Sequence, residues 1–249
     1  MDNKKEIYDK ICAAVDSLQE EMLQTISDII RIPSVSPGFE GDPAEQNESK
    51  VNEYLCKVMQ DIGLETDIWE EVPGRANLVG IHRGGSGRSL IFNGHIDVVP
   101  AGDPATWTEA SPWSGEEKDG KIWGRGSSDM KAGDVAAIYA YKALRQAGLS
   151  PQGDIFFEMV CGEECRETEV GTGAAIKRGY RADAAIVVEP TTYLTRLNIA
   201  AASPGVADLV CTVKGKPVHA CMRDEQVRPG GRGNYMCIRD STYTAYTCL

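Results

Sequence analysis

The sequence predicts an α/β sandwich followed by the start of a second domain. Two observations carry this. From about residue 64 to residue 188 strand-type and helix-type segments alternate. Beyond Ser203-Pro204-Gly205 the run Val206 to Lys214 changes to the alternation of a half-exposed strand. A chain of 249 residues, 42% hydrophobic, also has enough material for one or two cores without a disulfide framework or structural metal. At this size folding removes about 70 to 75% of the unfolded surface from water.

The elements follow in order. Ile7, Ile11, Val15, Leu18, Met22, Ile26 and Ile29 recur at spacings of three and four, one stripe of a helix that Pro33 and Pro37 end. A polar loop covers Ser36 to Gln46. Helical spacing returns from Asn47 to Ile62 through Val51, Tyr54, Leu55, Val58 and Met59, with Gly63 at the C-terminal cap. Leu64 to Trp69, Ala76 to His82 and Ser89 to Ile96 read as strands, the last two joined in a hairpin by Gly84-Gly85-Ser86-Gly87. A loop rich in Pro, Gly and Trp covers Pro100 to Gly126, and Trp107 to Trp113 either lines a pocket or packs the loop. Ala132 to Ala147 reads as a buried helix closed by Gly148, Ile155 to Cys161 as a strand, Gly171 to Arg178 as a helix and Ala184 to Val188 as another buried strand.

Composition excludes several function classes. A net charge of −11 with no Lys/Arg-rich run repels phosphate backbones and anionic headgroups, so neither nucleic acid nor a membrane surface is an expected partner. No window approaches the 18 or so apolar residues of a span, and the first residues lack the apolar stretch of a signal peptide, so a cytoplasmic location is expected. The eight cysteines show no paired spacing and are expected to be free thiols. Cys161 and Cys165, at C-x3-C, match neither a zinc knuckle nor a redox motif.

The chemistry-bearing residues sit at strand ends. His95 and Asp97 flank Ile96, so imidazole and carboxylate share a strand face, and the carboxylate can hold the ring by its second nitrogen. A strand-end His bonded to a nearby Asp is the structural alternative. Asp129 precedes a helix, where N-capping is the ordinary duty of an Asp. Glu163 and Glu164 follow a buried strand, where adjacent carboxylates repel unless a cation or proton separates them. Glu189 closes an apolar strand, the place where open α/β sheets bind ligands. One His and several carboxylates at one rim of a sheet have the composition of a two-metal hydrolytic site.

The chain also resembles the co-catalytic zinc amidohydrolases and peptidases that include aminoacylase, acetylornithine deacetylase, succinyl-diaminopimelate desuccinylase and glutamate carboxypeptidase. The likeness runs from about Ile26 to Cys221. It rests on Gly94-His95-Ile96-Asp97-Val98-Val99-Pro100, Trp123-Gly124-Arg125-Gly126 through Asp129-Met130-Lys131-Ala132-Gly133, Gly162-Glu163-Glu164, Val188-Glu189-Pro190-Thr191 and Gly215-Lys216-Pro217-Val218-His219-Ala220, in that order. The resemblance implies a catalytic α/β sandwich with a central mixed sheet, over residues 1–202, and the beginning of a small α+β lid and dimerisation domain over 203–227. It implies two zinc ions, with cobalt or manganese as substitutes. His95 and Glu189 would hold one, Asp129 would bridge, and Glu164 would bind the second. Asp97 would clamp His95, Glu163 would be the general base, and His219 would reach the partner subunit's site in a homodimer. His82 matches no motif and reads as structural or as a surface residue.

The likeness stops short at the end of the chain. The family carries a further histidine near its C-terminus as the last ligand of the second metal, and no histidine follows His219 here. From about Gln226 the sequence loses apolar periodicity, so residues 228–249 are expected to be foreign to the family, either a disordered tail or an artefactual, out-of-frame stretch. On that reading the chain is a truncated member, poorly soluble and inactive as it stands, while its full-length parent hydrolyses an amide bond in a small N-acyl amino acid or dipeptide-like substrate. Two other classes remain: a metal-free binding or regulatory module on the same fold, and a cysteine amidase using Cys161 or Cys165, whose acidic neighbours disfavour the thiolate.

Overall fold

The computed structural model describes residues 2–190 and the strands over 206–213 and 241–248. The chain divides into two compact units, Met1–Pro190 and Thr191–Leu249, so the division falls at residue 190 where the sequence pointed to 202.

In the first unit, helix α1 (Asp2–Ile30) buries Ala14, Leu18, Ile26, Ile29 and Ile30. Val15, placed on the inward stripe by its spacing, is 46% exposed. Ala14, one residue earlier, is buried in its place. Helix α2 (Glu48–Asp61) buries Val51, Leu55 and Met59, and Gly63 follows it at φ +82°, a left-handed conformation that glycine adopts without Cβ strain.

The central sheet has the order β1-β2-β6-β3-β7: β1 (Glu65–Val72), β2 (Arg75–His82), β3 (Leu90–His95), β6 (Ile155–Val160) and β7 (Ala184–Val187). β1 and β2 form the antiparallel hairpin, β2 pairs antiparallel with β6, and β3 pairs parallel with both β6 and β7. The sheet is therefore mixed, as the resemblance implied. The predicted β2–β3 hairpin does not exist, because β6 lies between those strands. Every residue of β6 is buried, so this apolar segment occupies the centre of the sheet with a partner on each side. The glycine run that looked like a hairpin turn packs on a second turn, with the N–H groups of Ser86 and Gly87 both donating to the Gln152 carbonyl at 3.0 Å.

Helix α3 (Lys131–Gln146) packs against α1, and its residues Val135, Ile138 and Ala143 are fully buried. Helix α4 (Thr172–Arg178) ends at Gly179. A small hairpin of β4 (Glu116–Lys118) and β5 (Lys121–Trp123) lies inside the predicted loop, and its Asp119-Gly120 turn was the readable signal. β7, predicted as a buried strand, is exposed throughout, Val187 by 57%. It is the outermost strand of the sheet among the described residues. An apolar run records a preference for burial and does not supply the partner.

In the second unit β8 (Val206–Val213) pairs antiparallel with β9 (Ser241–Cys248). The disorder expected over 228–249 does not extend to 241–248. Thr and Tyr, both of high strand propensity, fill five of the eight positions there. Among the described residues, no helix is long and apolar enough to cross a membrane.

Candidate metal centre

β3 ends at His95, whose ring is almost wholly buried at 2% exposure. Its Nδ1 lies 2.9 Å from the backbone carbonyl of Asp97 and 3.6 Å from that residue's carboxylate. The ring nitrogen facing away from the site is thus held by the main chain of Asp97 more closely than by the carboxylate from which the clamp was expected. The fully buried Asp97 carboxylate has another task. Oδ1 accepts the backbone N–H of Glu163 at 3.3 Å and Oδ2 that of Glu164 at 3.1 Å.

The other predicted residues converge on His95 Nε2. Asp129 Oδ1 is 3.2 Å from it, Glu189 Oε1 3.1 Å and Glu163 Oε2 3.7 Å. His95, Asp129 and Glu164 form one group whose ligand atoms all lie within 4.8 Å of one another, and His95, Glu163 and Glu189 form a second. Asp129 does not cap α3, since Met130 takes the N-cap position without a side-chain bond. The peptide bond between Asp129 and Met130 is cis. His219 lies outside the described residues.

The charge pattern fits a divalent cation. His95 Nε2 is buried and makes no aligned hydrogen bond to any of the oxygens around it, the position of a lone pair directed at an electrophile. Burial opposes a charged imidazole, yet the carboxylates of Asp129, Glu189 and Asp97 outweigh it and push the His95 pKa far up. Burial and the charge of Asp129 push Glu164 up to about 7. Burial, followed by the charges of Glu189, Asp97 and Asp129, raises Glu163 against the opposing effect of His95. One imidazole and four acids gathered without a counter-charge repel one another, and a hard or borderline divalent ion relieves that repulsion.

Several polar residues that support this rim were given no role by the sequence. Lys131 is fully buried, and its ammonium donates to the carbonyls of Ile29 and Ile32, both at 2.9 Å. It ties the end of α1 to the turn carrying Asp129. Arg75 is buried beside the loop that carries the acidic pair. The available signal for Lys131 was a lone cation at the head of a helix of small and apolar residues.

Three sequence alternatives resolve structurally. His82 is bonded through Nε2 to the Pro151 carbonyl at 2.9 Å and through Nδ1 to the Tyr141 hydroxyl at 3.1 Å, a structural role. Trp107 and Trp113 pack the loop, with Nε1 bonded to the Ala101 carbonyl and to Glu45. Cys161 is buried, and burial together with the charge of Glu48 pushes its thiol up to about 12, which disfavours a thiolate there, while Cys165 is a partly buried free thiol 2.8 Å from Ser36 Oγ.

Residues 91–235 match the model of peptidase family M20/M25/M40, a stretch that passes Val227, where the motifs had given out. The N-formyl-4-amino-5-aminomethyl-2-methylpyrimidine deformylase of Halalkalibacterium halodurans is 35% identical over 187 residues, 74% of this chain and 42% of that protein. A probable succinyl-diaminopimelate desuccinylase of Staphylococcus epidermidis is 34% identical over 207 residues, 82% of this chain and 47% of that one. The chain therefore spans somewhat under half the length of these relatives. Human carnosine dipeptidase 1 superposes with a TM-score of 0.66 at 21% identity, over 84% of this chain and 47% of that one. An M20 family metallo-carboxypeptidase from Sulfolobus solfataricus does so at 0.59 and 20%, over 80% and 45%. These two show the shared fold. The family match spans more than half of the chain and takes in all five residues gathered around His95 Nε2 and the acidic pair, so the chain belongs to peptidase family M20/M25/M40.

Proposed function

We propose that the protein of which this chain forms part hydrolyses an amide bond in a small N-acyl amino acid or dipeptide-like substrate. The observation that carries the proposal is the convergence of Asp129, Glu163 and Glu189 on an unpartnered, buried His95 Nε2, with Glu164 completing a second ligand group. His95 and Glu189 would hold one divalent ion, Asp129 would bridge, and Glu164 would hold the other. The pair is read as zinc, with cobalt or manganese as substitutes. A second position held only by Asp129 and Glu164 suits magnesium or manganese better than zinc. Relatives named as a deformylase and a desuccinylase, and a fold neighbour named as a dipeptidase, support an acyl-nitrogen bond as the target. The homodimer formed through the second unit, with His219 acting across it, and the cytoplasmic location belong to the same proposal.

Bound divalent ions supply Lewis acidity toward a carbonyl and lower the pKa of water toward 7. The side chains do the rest. Glu163 stands at the rim with its carboxylate half-exposed and its main chain fixed by Asp97, so its free oxygen can take a proton from water and pass it to the leaving amine. Its raised pKa brings it closer to the operating pH, where a base that must also act as an acid is most effective. Asp97 and the buried wall behind His95 keep water from the ring's far side.

Zinc titration into this chain, together with assays of the full-length protein on N-acyl amino acids and dipeptides with and without chelator, tests the reading. Glu163→Gln should keep the metal and lose about 10² to 10⁴ in turnover. Turnover that persists in chelator, or a Glu163→Gln variant as active as the parent, would sink the proposal and favour a site that only binds.

A further inference from the structure

Arg75 opens β2 with 6% exposure, and groups from three other segments close on its guanidinium. Glu48 of α2 takes it in a bidentate pair, Nε to Oε2 at 2.6 Å and Nη2 to Oε1 at 3.0 Å. Nη2 also donates to Ser36 Oγ at 3.2 Å. The remaining nitrogen, Nη1, donates to the Glu167 carboxylate, which lies on the loop that carries Glu163 and Glu164.

That loop is folded back on itself. The N–H of Glu167 donates to the Gly162 carbonyl at 2.8 Å and that of Arg166 to the Glu163 carbonyl at 2.9 Å. Arg166 has φ +60°, an unfavourable conformation for a residue with a Cβ, which persists only where neighbours over-determine it. Gly162, at φ +82°, backs onto the guanidinium so closely that a Cβ there would come within 3.3 Å of Arg75 Nη2. The loop is thus gripped at two places: Asp97 holds the amides of Glu163 and Glu164, and Arg75 holds Glu167.

We infer that the Arg75–Glu167 pair is a positioning clamp for the acidic pair, setting where the Glu163 and Glu164 carboxylates stand in the metal centre. The inference rests on the functional reading above. Glu48 and Ser36 already take the Nε and Nη2 donors of the buried guanidinium, so Arg75 keeps partners in the core without Glu167. The Glu167 side chain is 43% exposed, and an ion pair with one half-exposed partner adds little to stability. Its effect falls on geometry, where displacement of a catalytic group by about 1 Å costs on the order of 10²-fold.

The test compares Glu167→Gln and Glu167→Ala with the unaltered 249-residue chain by amide hydrogen exchange, thermal unfolding and zinc titration. Both variants should melt within about 3 °C of the parent, the shift expected from a change of about 1 kcal/mol in a protein this size. Exchange at the Glu163 and Glu164 amides should rise at least tenfold while β6 is unchanged. Zinc affinity should fall about 10- to 100-fold, and Glu167→Asp should recover part of the loss. Unchanged exchange, faster exchange with zinc affinity within twofold of the parent, or a general loss of protection along β6 would overturn the clamp. Failure of the parent chain to bind zinc would sink the functional reading instead, and the exchange comparison would still decide the clamp.

Discussion

The Asp97 carboxylate accepts the backbone N–H of Glu164 at 3.1 Å while its own backbone carbonyl lies 2.9 Å from His95 Nδ1. One residue therefore fixes both the imidazole and the acidic pair, through different atoms. Asp97→Asn separates these tasks. The backbone contact to His95 survives, but the amide offers one acceptor oxygen and turns an NH₂ toward a second N–H donor. Zinc affinity should fall about tenfold or more, the usual cost of losing an outer-shell partner. A zinc isotherm matching that of the unaltered chain would show that Asp97 does not order the acids.

Gly94 is held to glycine by a buried acid. A Cβ at this position would lie 1.8 Å from Asp134 Oδ1, and Asp134 is wholly buried with neither carboxylate oxygen hydrogen-bonded. Burial pushes its pKa well above the usual carboxylate range. Gly94→Ala should cost about 1 to 3 kcal/mol, as overpacking does. Adding Asp134→Ala should recover much of that, leaving the double variant more stable than Gly94→Ala alone. Urea midpoints for the two single variants and the double variant measure the coupling. Strictly additive effects would mean that the two positions do not meet.

The candidate ligands stood out because each lies at or a few residues from an element's end, where the period of the pattern changes, although each taken singly also had an ordinary structural reading. His95, Asp129, Glu163, Glu164 and Glu189 could each be found that way. Strand pairing was not legible. The order β2-β6-β3 depends on which apolar run wins the centre of the sheet, and a glycine-rich turn between β2 and β3 looks the same whether or not the strands it joins are neighbours. Buried charge was also hidden. Nothing in the sequence marks Arg75, Glu48 or Asp134 as buried, because their burial depends on partners far away in sequence.

Glu163 and Glu164 are adjacent in sequence and divide differently around the ring. Glu163 shares a ligand group with Glu189, and Glu164 shares one with Asp129. Glu164→Gln removes a carboxylate from the group it forms with Asp129, so manganese or zinc bound there should weaken by about 10- to 100-fold, while an ion held by His95 and Glu189 should remain. Two-site calorimetric titration reads this as loss of one binding step. Loss of both steps together would mean that the ions do not occupy separable positions.

Lys131 links the turn bearing Asp129 to the end of α1, and its titration gives that link a pH signature. Burial, opposed by the charges of Asp134 and Asp97, pushes the ammonium down to about 7, against about 10.4 in an unfolded chain. Between those values the unfolded state holds a proton that the folded state has released, so this group makes the protein more stable as pH rises from about 7 to about 10. The neutral amine still donates to the carbonyls of Ile29 and Ile32. Lys131→Met abolishes both effects. It takes a donor from the Ile32 carbonyl and leaves the Ile29 carbonyl with only the Ile32 N–H, at about 1 to 3 kcal/mol in all, and removes the rise with pH. Urea unfolding at pH 7 and pH 9.5 should show the penalty of the substitution growing between the two. A constant or shrinking penalty would mean that Lys131 stays charged in the folded protein across this range.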